Sequence, residues 1–161
     1  MKNSAIIILF LCVFLFFATC ETDLNTPPSK QAIETIFDEY HDSLCVVAEF
    51  VENSDYEHLS IDKPNGTIFA DFETVILEDA AVADAVACLF EDKIVKKIYM
   101  YEDTVVFLIW TGVADITCGL AFQLNPDIPI YLQFLTELKP LSQEKWYYYV
   151  EDYELWRATK K

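Results

Sequence analysis

Two histidines and five cysteines are among the side chains of this 161-residue chain whose types could support metal binding or nucleophilic catalysis. His41 and Cys45 stand four residues apart, a spacing that places both side chains on one face of a helix and can hold a metal ion. The sequence offers no second pair of this kind, and one pair does not complete a site. We therefore predict no metal there, and interpret His41 as a helix-surface residue.

Cysteine chemistry elsewhere in the chain has equally little support. Cys118 precedes Gly119 on a predicted strand, and a Cys–His couple would need a histidine to reach it in space. After the N-terminal segment, Cys45, Cys88 and Cys118 make an odd number, so at most one internal disulfide can form. Cys45 and Cys88 fall on apolar helical faces, where free cysteine usually behaves as a small buried hydrophobe.

Carboxylates are abundant but are not arranged as a catalytic set. Adjacent acidic pairs at 78–79, 91–92, 102–103 and 151–152 mark predicted helix ends and turns, where carboxylates have local structural roles. The sequence lacks the alternating acids of a calcium loop, and its three glycines are too few for a phosphate-cradling loop. We predict no catalytic residues and no cofactor.

The most distinctive stretch, WTGVADITC at 110–118, joins two apolar strands through a loop. Loops held between rigid strands commonly carry binding groups. Together with the aromatic strand at 146–149, this loop could frame an aromatic-lined pocket, although the same aromatic residues could simply pack in the core. The candidate binding residues are Trp110, Asp115, Thr117, Trp146 and Tyr148.

The elements that would position these residues begin with two helices. Apolar residues recur at helical spacing over 29–53, with acidic residues on the other side and Ser29 as a suitable N-cap. A second helix is predicted over 78–91, opened by Glu78 or Asp79.

The remaining elements are strands, and the sequence predicts an α+β domain. The pattern is a long N-terminal helix, a short hairpin, a second helix, and then a curved antiparallel meander of about four to six strands. Asn65-Gly66 favours the hairpin turn over use as a glycosylation acceptor. The apolar strand 104–110 should be central and covered on both faces. The other predicted strands are 56–62, 67–70, 94–101, 118–124, 130–138 and 146–150, and a polar tail that is either frayed or helical follows from Glu151.

Residues 1–20 are typical of a secretory signal. Lys2 precedes an apolar run of about fifteen residues, which is shorter than the ~20 residues that span a bilayer. The segment Phe17-Ala18-Thr19-Cys20 resembles a bacterial lipoprotein box, which implies lipidation of Cys20 and attachment to a membrane surface. Ordinary cleavage after Cys20, which would release a secreted soluble domain, and an uncleaved anchor are the alternatives.

We therefore divide the chain into a signal at 1–20, a proline-containing flexible spacer at 21–31 and one domain at 32–161. The chain carries a formal charge of −16, with 11 Lys plus Arg against 27 Asp plus Glu. Such an acidic protein without a basic cluster is not expected to bind nucleic acid. A solvated acidic surface explains the charge most simply, and a docking surface for a cationic protein partner is the sharper alternative.

Four segments in the C-terminal two thirds carry a resemblance: Trp110-Thr111-Gly112-Val113-Ala114-Asp115, Gly119-Leu120-Ala121-Phe122, Leu132-Gln133-Phe134-Leu135-Thr136 and Trp146-Tyr147-Tyr148-Tyr149. Together they resemble small uncharacterised proteins and lipoproteins of Gram-positive bacteria, over about residues 56–157. The resemblance implies one folded domain and a bacterial origin, and it carries no catalytic residue.

These observations predict an exported, membrane-tethered domain that acts as a binding or interaction module. One alternative is a small extracytoplasmic enzyme that uses a carboxylate near Asp115. Another is an acidic inhibitor or immunity-type protein directed against a cationic target. Because the sequence gathers no acids, bases or metal ligands in one place, we favour the binding module over the enzyme.

Overall fold

The computed structural model of the protein describes residues 26–160. The predicted signal, the predicted lipidation site Cys20 and the first part of the predicted spacer therefore lie outside the described residues. None of the helices within 26–160 is long and apolar enough to cross a membrane.

Two of the three described helices were predicted from the sequence, and their caps explain their bounds. Helix α1 (Lys30–Glu52) begins where the Ser29 side chain accepts a hydrogen bond from the Ala32 amide. Helix α2 (Ala80–Glu91) begins at Asp79, whose carboxylate accepts from the amides of Ala81 and Val82. The predicted polar tail forms helix α3 (Tyr153–Thr159). Helix α1 is kinked at Tyr40, where φ and ψ leave the helical region.

All strands within residues 26–160 belong to one antiparallel sheet with the order β3-β2-β1-β4-β5-β6-β8-β7. The α+β class and the layout of helices followed by sheet are thus confirmed. The strands are β1 (Leu59–Ile61), β2 (Thr67–Ala70), β3 (Glu73–Ile76), β4 (Lys97–Tyr101), β5 (Thr104–Thr111), β6 (Thr117–Gln123), β7 (Leu135–Pro140) and β8 (Trp146–Glu151).

The predicted number and order of strands were wrong. The eight described strands exceed the expected four to six, because the early hairpin joins the main sheet and continues into the unpredicted strand β3. The second half of the sheet is not a simple meander, since β8 inserts between β6 and β7. Strand β4 starts at Lys97 instead of residue 94, because the Ile94 and Val95 amides both donate to the Leu89 carbonyl at the end of α2.

The predicted strand at 130–138 was also placed too early. Strand β7 begins at Leu135, and residues 124–134 instead cross the outer face of the sheet as a loop. Leu132 of this loop is buried in the outer-face cluster with Val106, Ala121 and Tyr149. Prolines at 126 and 129 disfavour a strand in the first part of this loop, and the Leu135 amide donates to the Leu132 carbonyl in a turn just before β7 begins.

The sheet has two unlike faces. Helices α1 and α2 pack against each other and share one core cluster with the inner face, which includes Phe107, Leu120 and Trp146. On the outer face, a smaller cluster lies under the 124–134 loop. Strand β5 contributes Val105 and Phe107 to the first cluster and Val106 to the second, which confirms that it is central and covered on both faces.

Candidate docking surface

Three of the five candidate binding residues are packed in the core. Trp110, Trp146 and Tyr148 all belong to the buried cluster beneath the helices. The Trp146 ring lies 5.0 Å from the Phe37 ring of α1 and 5.4 Å from the Phe107 ring of β5, measured between centroids. These aromatic side chains therefore hold α1 against the sheet.

The other two candidates lie at the surface near the β5–β6 connection, and they are not brought together. Asp115 is exposed in the 112–116 loop, where both Ala114 and Asp115 have positive φ. Thr117 begins β6, and its hydroxyl lies 3.3 Å from the Glu151 carboxylate. A binding role for this loop remains a prediction.

Cys118 is held in a closed environment at the start of α1. Its Sγ is 4.0 Å from the Pro28 carbonyl, which also accepts a 3.0 Å hydrogen bond from the Tyr148 hydroxyl. Burial, with a smaller contribution from the negative charge of Glu137, raises the pKa of the Cys118 thiol to about 12. Neither His reaches Cys118 in the described hydrogen bonds, and a high thiol pKa opposes nucleophilic use.

The structure does place His41 beside Cys45, with 3.4 Å between Nε2 and Sγ. The Gln143 side chain contacts the same nitrogen of His41. Burial and the nearby carboxylates of Glu49 and Asp42 raise the pKa of the Cys45 thiol. Within residues 26–160, no group of three or more His, Cys, Asp or Glu side chains is placed to hold a metal ion. Cys45 packs against the buried cluster, and the His41 ring lies 5.3 Å from the Phe37 ring between centroids.

Strand β3 has a free edge, since β2 is its only neighbouring strand in the described part of the chain. Ile68 pairs with Val75, and the Leu77 amide donates to the Gly66 carbonyl. Because hydrogen-bonded and non-hydrogen-bonded pairs alternate along an antiparallel ladder, the backbone groups of Thr74 and Ile76 point away from β2. The edge therefore presents backbone donors and acceptors that another strand could pair with.

The opposite edge of the sheet is protected against such pairing. Strand β7 ends in Lys139 and Pro140, residue types that discourage a further strand. Helix α3 lies beside β7, and its Tyr153 and Trp156 rings pack at 5.0 and 5.4 Å from the Phe134 ring. The two edges of the sheet therefore differ, because of the two described terminal strands only β3 has an edge with which another strand could readily pair.

Three large apolar side chains are exposed around this open edge. Phe69 is 49% exposed, Phe72 is 75% exposed and Ile76 is 71% exposed. The register pairs Phe69 with Thr74 and Thr67 with Ile76, so Phe69 and Ile76 are diagonal neighbours on the outer face. We call Phe69, Phe72, Thr74 and Ile76, with the free backbone of β3, the β3 edge surface.

Beside Phe69, the outer face also has a depression of about 400 Å³. Its lining is mainly polar and includes Ser60, Asp62, Lys63 and Thr67. The 124–134 loop covers the outer face at the other end of the sheet, where Leu132 is buried in the outer cluster, while Phe69 on β2 stays half exposed. The outer face is therefore open beside the free edge.

The turn that presents Phe72 is strained. Asp71 and Phe72 form a two-residue hairpin turn with φ of 47° and 70°, a conformation that favours Gly and Asn. A bulky residue at positive φ is an outlier. The Phe72 ring lies 5.2 Å from the His58 ring, and the Asp71 carboxylate accepts hydrogen bonds from the Glu57 and His58 amides. The surrounding contacts thus hold Phe72 exposed in an unfavourable backbone conformation.

Two carboxylates bracket the edge strand. Glu73 and Glu78 are exposed on either side of residues 74–77, and neither has an ion-pair partner among the described residues. Other nearby acids are already engaged, as Asp71 and Asp79 accept backbone hydrogen bonds. The edge is therefore apolar in its middle and negatively charged at its two ends.

Sequence reasoning did not identify the β3 edge surface. Strand β3 has four residues, which are too few for a clear alternating pattern. The signal that could have indicated an unusual turn is an aromatic residue, Phe72, between the acidic residues Asp71 and Glu73. Comparisons of the chain with protein-family models, with curated proteins and with solved structures found no match.

Proposed function

We propose that this protein is an exported, membrane-tethered binding module that docks a protein partner on the β3 edge surface. The observation that carries the proposal is the combination of an unpaired strand edge with Phe69, Phe72 and Ile76, each about half exposed or more. Exposed apolar residues beside an open edge are a liability unless a partner covers them.

The strain at Phe72 supports the same assignment. Strained backbone persists where the surrounding structure enforces it, and such positions cluster at functional sites. In this turn a glycine would relieve the strain, but it would remove the most exposed aromatic side chain near the edge. A docking function gives a reason for keeping Phe72.

Site-specific photo-crosslinking tests the docking surface. A photoreactive amino acid replaces Ile76 in the full chain expressed in its native membranes, and a matched control places it at Leu155, which is 52% exposed on α3. We expect a discrete protein adduct from position 76 that is lost in a Thr74→Pro background, and no such adduct from position 155. Equal labelling from both positions, or none from position 76, would contradict the proposal.

The tether is tested separately, because it depends on the N-terminal sequence alone. Mass spectrometry of the native protein should show a chain that begins at a lipid-modified Cys20. A chain that begins at an unmodified Glu21 would instead support the secreted form. Either result leaves the assignment of the docking surface to the crosslinking experiment.

A further inference from the structure

We propose that the occupant of the β3 edge surface is an extended segment of a cationic protein, which adds to the sheet as a ninth strand. This inference rests on the proposed docking function and adds the chemistry of the partner. Its segment would alternate apolar side chains with Lys or Arg, because exposed Phe69 and Ile76 lie on the outer face and the exposed carboxylate of Glu73 lies on the inner face.

The backbone sets the conformation of the partner. The outward N–H and C=O groups of Thr74 and Ile76 can pair only with a chain that is itself extended. Strand addition of this kind derives its affinity from main-chain hydrogen bonds and its specificity from alternate side chains. An amphipathic helix would leave these groups of β3 unpaired.

The side chains on the two faces of the sheet beside β3 determine the alternation of apolar and cationic residues that we expect in the partner strand. Phe69 and Ile76 lie on the outer face, so apolar side chains of an added strand would extend that patch. Glu73 pairs with Ala70 and shares the inner face with Val75, so the intervening side chains of the added strand would lie on the side of Glu73. Cations at these positions would complement an exposed carboxylate that has no partner in the described structure.

Charge favours a cationic protein over a second copy of this chain. Residues 62–84 contain six acidic residues and one lysine, and the whole chain has a charge of −16. If two copies paired so that Thr74 faced Ile76, Asp71 would lie opposite Asp79 on both sides, and like charges placed opposite each other are destabilising. A Lys- or Arg-bearing strand removes this repulsion.

Peptide binding to the wild-type protein tests the partner class. The probe is a fluorescent, end-blocked peptide of four Lys-Val repeats, and the controls are a Glu-Val peptide and a Lys-Val peptide N-methylated at alternate residues. We expect the Lys-Val peptide to bind at least about tenfold more tightly than either control, with an affinity that falls as salt is raised. Equal binding of the Glu-Val or the N-methylated peptide would overturn the inference.

Two variants test the same prediction on the protein side. Thr74→Pro removes an amide that points away from β2, so it should weaken peptide binding about tenfold or more while the β2–β3 ladder remains. Glu73→Gln combined with Glu78→Gln should reduce the salt dependence. Undiminished binding by a folded Thr74→Pro, or an unchanged salt dependence in the double Glu→Gln variant, would overturn the inference, and the N-methylated peptide keeps it falsifiable if Thr74→Pro fails to fold.

The outcomes separate this inference from the function on which it rests. A specific adduct at position 76 without Lys-Val binding would refute the cationic strand and leave the docking function standing. Absence of the adduct would refute the docking function itself. A dimer in sedimentation equilibrium that Thr74→Pro dissociates would identify a second copy as the occupant and overturn the inference.

Discussion

The Tyr148 hydroxyl donates a 3.0 Å hydrogen bond to the carbonyl of Pro28, which precedes it by 120 residues. This contact holds the predicted spacer against the domain at Pro28, immediately before the N-cap Ser29. Strand β8 is seventh in the sheet order and β3 is first, so six strand spacings along the sheet separate this attachment point from the β3 edge. The proposed tether, if it enters the domain at Pro28, would therefore leave the β3 edge surface at the opposite end of the sheet.

Tyr148→Phe should loosen the attachment of the spacer. The substitution removes one donor from a partly buried carbonyl, and we expect a loss of about 1 kcal/mol in the free energy of unfolding. Proteolysis within residues 26–30 should accelerate. Tyr147→Phe is the matched control, because its hydroxyl bonds to Gln123 and not to the N-terminal segment. Unchanged cleavage of Tyr148→Phe relative to this control would show that the bond does not anchor the spacer.

Gly119→Ala should destabilise the sheet more than Gly66→Ala. A Cβ at position 119 would lie 2.0 Å from the Phe107 carbonyl oxygen, so β5 and β6 would have to separate. We expect a loss of about 3 kcal/mol in the free energy of unfolding. Gly66 has a φ of 70° and open space, so alanine there adds only backbone strain of about 1 kcal/mol. Urea unfolding of the two variants measures the difference, and a reversed order would contradict the packing.

Buried Cys118 should make the protein less stable above pH 9. An unfolded thiol loses its proton near pH 9.0, whereas the folded thiol has a pKa of about 12, so the folded state retains a proton that the unfolded state has lost. The contribution of Cys118 to the free energy of unfolding is therefore complete below pH 9. It falls by up to about 1.4 kcal/mol per pH unit as the pH rises toward 12. Between pH 9 and 10, Cys118→Ala should show a shallower decline in urea unfolding under reducing conditions. An unchanged slope would mean that Cys118 does not carry this linkage.

The sequence predicted the elements with long, regular patterns. The 3.6-residue periodicity and the caps Ser29 and Asp79 were sufficient for α1 and α2. Strand β5 was identified as central because it is apolar on both faces. In these elements local preference and tertiary packing agree, which makes their sequence signal strong.

Features that depend on long-range pairing were not predicted. Strand β3 has four residues and is specified by its register with β2, while Leu132 is buried because a loop folds across a distant part of the sheet. Nor did the aromatic pattern distinguish a pocket from a core, and the structure packs Trp146 against Phe37, over a hundred residues away in sequence. The candidate docking surface depends on the register of β3, so it became apparent only in the folded protein.

The variant Asp115→Gly tests whether the binding site is the 110–118 loop or the β3 edge surface. Asp115 has a φ of 59°, which glycine adopts without strain, so the variant should fold at least as stably as the wild type. We expect crosslinking from position 76 to remain unchanged. Loss of the adduct in a folded Asp115→Gly protein would instead assign binding, or a carboxylate-dependent activity, to this loop.

Phe72 should lower the stability of the fold and strengthen binding at the β3 edge surface. Replacing Phe72 by Gly relieves the positive φ of 70° in a two-residue hairpin turn, so we expect the free energy of unfolding to rise by about 1 kcal/mol. The same change removes a 75% exposed ring, so binding at the β3 edge surface should weaken. Phe72→Ala is the control, since it removes the ring but keeps a Cβ at positive φ; it should lose binding without the gain in stability. Urea unfolding and Lys-Val peptide titration of both variants measure the two effects. A Phe72→Gly protein that is more stable and binds as tightly as the wild type would show that the strained turn does not serve docking.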